Sequence, residues 1–246
     1  MAGFTGDDDL AGAELVGADL HDAWFRESNL RGVHIRGSDL TGAEIDADIA
    51  GLRINGVEVA PLVEAELDRR HPERAVLRAE DVDALRKGWA GLEAMWAPTM
   101  DRVAALPPGT EDISVAGEWT FAETLRHLVF ATDAWLGEAV LGRPDPYHPI
   151  GVPYSGWRDK AADVLDLDAA PPYDEVVQIR AQRVGMMRQA LARLTDVRLG
   201  EEVECPRFSV VRRLPVSACL WIVAKEEWHH HRYALRDLDA IEAGTA

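Results

Sequence analysis

The stretch KEEWHHHRYALRDL, residues 225–238, places three of the chain's eight histidines directly behind two glutamates. Laid out as a helix at about 100° per residue, its apolar centre is defined by Leu220, Ala224, Leu235 and Leu238. Glu227 and His231 fall within about 20° of that centre by the same arithmetic. Glu226 and His230 lie to one side, and His229 points away, toward solvent. A glutamate and a histidine four residues apart share one side of a helix. A buried carboxylate is costly unless it is paired or binds a metal. Glu227 and His231 are therefore read either as an internal hydrogen-bonded pair or as part of a metal site. With EE and HHH adjacent, a one-residue shift to Glu226 and His230 is the alternative register, and the wheel favours Glu227 and His231. A zinc site needs a third protein ligand from elsewhere.

The surrounding pattern sets the architecture. From about Leu77 the apolar period is that of a helix. Helices are predicted over about 79–105, 118–142, 173–194 and 215–243, with Gly142 as a C-cap glycine and Pro215 in a first turn. Proline and glycine mark a long loop over 142–172, with a short helical piece at 159–165. Four helices with one long crossover predict a four-helix bundle, in which ligand and metal sites form from side chains on facing helices.

The other histidines narrow the search for a third ligand. His21 and His34 take outward positions in an N-terminal repeat, and His71 sits in the charged connector DRRHPER. His148, in the loop PYHPIGVPY, is a candidate for a pocket mouth. His127 lies in GEWTFAETLRHLVFATDAWL, about 100° from the centre of that helix's apolar face, on a side shared with Thr124, Ala131 and Ala134. Small neighbours leave room for a ligand cavity there. The residues themselves leave a partly exposed histidine equally open.

The N-terminal segment has a different period. Leu10, Leu15, Leu20, Phe25, Leu30, Ile35, Leu40 and Ile45 recur every fifth residue, and two positions before most of them stands a small residue. Neither a helix nor a flat strand places every fifth residue on one side, whereas a square coil does. These residues resemble the pentapeptide-repeat family, which implies a right-handed quadrilateral β-helix over about residues 4–50. Roughly two coils are few for a solenoid on its own, so the segment is expected to pack against the rest of the chain or a second subunit. LRINGVEVAPL then reads as a hairpin turning at Asn55-Gly56. The expected layout is a repeat segment over 1–60, a connector over 61–76 and the bundle over 77–246.

Composition bounds the function. A net charge of −17 argues against a nucleic-acid or anionic-membrane binder. Two cysteines, Cys205 and Cys219, provide no disulfide framework, and Cys205 in ECPRF is expected to be structural. The acidic start MAGFTGDDDL does not look like a signal peptide, and the longest apolar run, ACLWIVA, is too short to span a bilayer. The expected location is the cytoplasm.

Taken together, EWTFAETLRHLVFATDAWL and EEWHHHRYALRDL resemble the DinB/YfiT-like family over about residues 77–243. That resemblance implies a four-helix bundle binding a divalent metal between helices, with His127, Glu227 and His231 as ligands. Most of that family has histidine where Glu227 stands. The branch of mycothiol-dependent maleylpyruvate isomerases has glutamate there, so the resemblance points toward that branch. The zinc-protease pattern HExxH does not occur, which counts against a peptidase. A site of two imidazoles and one carboxylate suits Zn²⁺ best, and also accommodates Fe²⁺, Ni²⁺ or Mn²⁺.

The implied activity is a metal-dependent thiol transferase that activates a small thiol for attack on an electrophilic small molecule. A composition rich in Ala, Arg and Asp fits a high-GC source and so favours mycothiol as the thiol. Tyr154, Trp157 and Arg158 in the crossover loop are candidates for the pocket rim, and a homodimer is expected. A metal-dependent hydrolase and a non-catalytic metal-binding stress or interaction protein are the competing readings.

Overall fold

The computed structural model describes Phe4 and residues 9–26, 28–78 and 81–244. Two compact units divide the chain, residues 1–37 and 38–246.

In the first unit and its continuation to Ile45, the repeat takes a ten-residue form. Asp9, Asp19, Asn29 and Asp39 each accept a hydrogen bond through Oδ1 from the backbone N–H two residues on, at 2.9–3.3 Å. Each such turn is closed by a backbone bond, from Ala13 to Leu10, Ala23 to Leu20, Val33 to Leu30 and Ala43 to Leu40. An Asp or Asn side chain that mimics a backbone turn is the physical cause. A closed quadrilateral coil, the form expected of this segment, holds its large apolar residues inside. Those eight residues are instead 49–66% exposed. Among the described residues of this segment there is no strand.

In the second unit, β1 (Arg53–Ile54) and β2 (Val57–Glu58) form the expected hairpin, with Ile54 opposite Val57. Asn55 and Gly56 both have positive φ, 50° and 83°, as a tight two-residue turn requires. The connector expected over 61–76 is largely helical: α1 (Ala60–Arg70) and α2 (Glu73–Leu77). Arg74, 1% exposed, ties them together through Glu64 and Asp68 and lies over the Trp228 ring.

The bundle helices are α3 (Val82–Ala105), α4 (Phe121–Thr132), α6 (Tyr173–Arg193) and α8 (Val216–Glu242). Asp81 caps α3 by accepting from the Ala84 N–H, while the expected start at Ala79 lies outside the described residues. Thr120 and Glu123 form a capping box that starts α4. α4 runs into a π-helical segment, Asp133–Val140, and ends before Gly142 at φ 60°. The crossover loop carries a 3-10 turn at Ser155–Trp157 that leads into the short α5 (Arg158–Ala161). After α6 come α7 (Asp196–Leu199) and the ribbon of β3 (Glu202–Glu204) with β4 (Arg213–Pro215).

α3 and α4 each pack against both α6 and α8, so the helices run α3–α6–α4–α8 around a square with α3 and α4 on the diagonal. One core layer is built on Trp89, Leu92, Met187, Val223 and Trp228, another on Trp96, Leu125, Val129, Val176 and Leu238. No helix among the described residues is long and apolar enough to cross a membrane.

Candidate metal centre

α8 carries both Glu–His pairs of the opening stretch, and the structure sends them to different places. Glu227 is 1% exposed and faces α6, where Arg180 Nη2 lies 2.5 Å from both carboxylate oxygens. Burial pushes the Glu227 carboxyl up, and Arg180 pulls the other way. His231 faces α3, with Nε2 2.9 Å from Thr99 Oγ1, a backbone bond to Met95 and the Trp96 ring edge-on at 5.0 Å. The wheel places both residues on the buried face, and both are buried. Their partners are Arg180, Thr99 and Met95, so His127 is not brought to them.

His127 is brought to the alternative pair. His127 Nε2 lies 3.4 Å from Glu226 Oε2, and His230 Nε2 lies 3.2 Å from the same oxygen. All three ligand atoms lie within 4.8 Å of one another, the one such cluster among the described residues. Donors about 2.1 Å from a tetrahedral ion sit about 3.4 Å apart, which matches both separations. His127 is buried, while the Glu226 side chain is 31% exposed and leaves one side open.

The protonation pattern sharpens the fit. His127 Nδ1 is 3.0 Å from the Val152 carbonyl oxygen. A carbonyl only accepts, so Nδ1 carries a proton and Nε2 is the ring atom turned toward the Glu226 carboxylate. At 3.4 Å, a second ring proton or a metal ion between Nε2 and the carboxylate oxygen satisfies both atoms. This is also the tautomer that metal-binding histidines adopt when the other ring nitrogen donates to a carbonyl. Burial works to raise the Glu226 carboxyl, but its hydrogen bonds and charge contacts with His127 and His230 outweigh it and hold the group well below the ordinary range. Burial lowers His230, with Glu226 opposing. Glu226 is thus ionised and His230 is biased toward the neutral form, as a ligand set needs.

Two local structures hold His127 in place. The crossover loop is pinned along α4, with Arg126 Nε donating to the Ile150 carbonyl at 2.7 Å and the Val152 N–H to the Arg126 carbonyl. Trp119, just before α4, lies 4.7 Å from the His127 ring and stacks on His230 at 5.8 Å and 20°. Sequence reasoning gave Trp119 and Val152 no role. Trp119 was visible as the aromatic residue before the Thr120 cap, whereas a backbone carbonyl leaves no trace in residue identity.

A family model described as the DinB superfamily matches residues 59–234, well over half of the chain. The chain belongs to the DinB superfamily. A second family model, pentapeptide repeats, matches residues 9–45 in eight copies. Searches of curated proteins and of solved structures found no match.

In this DinB-superfamily chain the remaining sequence candidates take other places. Tyr154 is exposed and meets Trp157 edge-on at 5.8 Å. Trp157 packs with Phe130, Trp135 and Phe208, one ring removed from His127 through Phe130. Arg158 opens α5 on the exposed surface. The His148 backbone N–H donates to the buried Asp133 carboxylate, which also accepts from Arg183. His229, read as solvent-facing, is half-buried: both ring nitrogens are buried without a hydrogen-bond partner among the described residues, and burial together with Lys225 lowers its pKa to about 4. The reason is that Trp228 and Tyr233 flank it on α8 itself. Burial raises the Cys205 thiol, which makes it a poor nucleophile.

Proposed function

We propose that the chain is a metal-dependent thiol transferase whose ligands are His127, Glu226 and His230. The observation that carries the metal reading is the convergence of His127 Nε2, His230 Nε2 and Glu226 Oε2 within 4.8 Å of one another, with His127 Nδ1 committed to Val152. Glutamate followed four residues later by histidine preserves the order that the isomerase-like branch implies, one residue earlier than the wheel suggests.

A divalent ion on these donors, Zn²⁺ by preference and Fe²⁺, Ni²⁺ or Mn²⁺ by the same ligand chemistry, lowers the pKa of a thiol or water that reaches its open side. The protein's own groups do the rest. Val152 fixes the His127 tautomer, and Glu226 supplies the single negative charge that leaves the centre cationic. Trp119 walls one side of both imidazoles and excludes water from it. The thiol we propose is a low-molecular-weight one of the mycothiol type, and its partner is an electrophilic small molecule. Tyr154, Trp157 and Arg158 are proposed as the outer rim contacted by that thiol. A hydrolase using bound water is the second reading, favoured by the same open side at Glu226.

We further propose a cytoplasmic homodimer in which a second subunit covers the exposed apolar residues of the repeat and lets its coil close. The experiment for function is reaction of mycothiol with monobromobimane, with and without metal-loaded protein. Acceleration that disappears in His127→Ala supports the transferase. No acceleration with any small thiol, together with retained metal, sinks it in favour of the hydrolase.

A further inference from the structure

His127 and His230 face Glu226 alike but are held by different means. His127 is fixed by its hydrogen bond to Val152. The His230 ring is wedged between aromatic neighbours: Trp119 stacks on it, and Tyr233, one turn further along α8, meets it edge-on with centroids 5.5 Å apart at 89°. The orientation of Tyr233 is set in turn from outside the bundle, where its hydroxyl donates to Asp46 Oδ1 at 2.8 Å, across 187 positions of sequence. Asp46 directly follows Ile45, the last apolar residue of the pentapeptide segment.

We propose that Asp46 is a positioning residue of the metal centre, anchoring the Tyr233 hydroxyl so that Tyr233 fixes the plane of the His230 imidazole. The inference rests on reading His127, Glu226 and His230 as the metal ligands. It gives the end of the repeat segment a task in the site. An imidazole lone pair is directional, so a ring free to rock loses part of its overlap with an ion. Val152 prevents that for His127. Among the described residues the matching constraint on His230 is aromatic packing, and packing against a tyrosine constrains only as well as the tyrosine is itself held. Asp46 is exposed, and the bond it accepts from Tyr233 is a single surface hydrogen bond, of the kind that adds little to folding. Losing it is therefore expected to leave the bundle folded while loosening the site.

The test uses the full chain with Co²⁺ as the probe, following its visible absorption and its competition with a chelator. Asp46→Ala and Tyr233→Phe are each expected to weaken Co²⁺ binding by about 10-fold, the lower end of what outer-shell partners of metal ligands contribute, and to alter the band shape. Asp46→Asn keeps an oxygen that accepts the tyrosine hydroxyl and is expected to stay near the parent. The double variant is expected to be no weaker than either single one, because both remove the same bond. Parent-like affinity and band shape in Asp46→Ala and Tyr233→Phe overturn the inference and leave the metal reading standing. A parent protein that binds no Co²⁺, or binds it unchanged after His127→Ala, overturns both.

Discussion

Two Glu–His pairs, displaced by a single residue, lie on adjacent faces of α8 and do opposite things. Glu227 and His231 face inward and are satisfied by the protein itself, through Arg180 on one side and Thr99 with Met95 on the other. Glu226 and His230 face sideways, are less buried, and meet a third side chain, His127, whose Nε2 is turned toward Glu226. The most buried polar pair on the helix is thus not the pair that meets a third side chain of metal-ligand type. A core position finds internal partners, because an unpaired charge there is costly. A ligand position needs an open side, and that places it at the edge of the buried face.

The largest effect that separates the pairs is on stability. Glu227→Ala leaves Arg180 buried without its counter-charge and is expected to destabilise the fold by about 3–5 kcal/mol in denaturant unfolding. Glu226→Ala, at a partly open position, is expected to cost far less. A similar loss for both would erase the distinction. On metal affinity the order reverses: His127→Ala is expected to weaken Zn²⁺ binding by about 100-fold or more in chelator competition, with little change in the unfolding of the metal-free chain. Thr99→Val removes the hydroxyl that His231 uses and is expected to cost about 1 kcal/mol of stability without changing metal affinity.

The pH dependence gives a smaller and independent check. Burial and Lys225 hold the folded pKa of His229 at about 4, below its ordinary 6.5. Between those values the unfolded chain binds the proton that the folded chain refuses, so stability is full above about pH 6.5 and falls as the pH drops toward about 4. His229→Phe is expected to flatten that limb of a metal-free stability profile. An unchanged slope would show that His229 is solvated after all.

The helices of the bundle were legible because apolar spacing records burial directly. Their starts and stops, such as the Thr120 capping box and Gly142, carry identifiable chemistry. His127 was legible from its place in EWTFAETLRHLVF, among small residues. The register of the pair was not, because residues one apart on a helix differ by only about 100°, and which of them meets His127 is decided by where α4 crosses α8. That crossing is a property of packing, as are Val152 and Tyr233. The repeat shows the converse. Its five-residue period was plain, whereas the ten-residue alternation of Asx turns at Asp9, Asp19, Asn29 and Asp39 was there in the sequence and overlooked.

The proposed site places a metal ion on Glu226 and His230 rather than on Glu227 and His231. Metal content after reconstitution of His230→Gln and His231→Gln, side by side with the parent, tests it most directly. The account predicts that His231→Gln retains the parent's stoichiometry and His230→Gln loses it; the reverse pattern would contradict it.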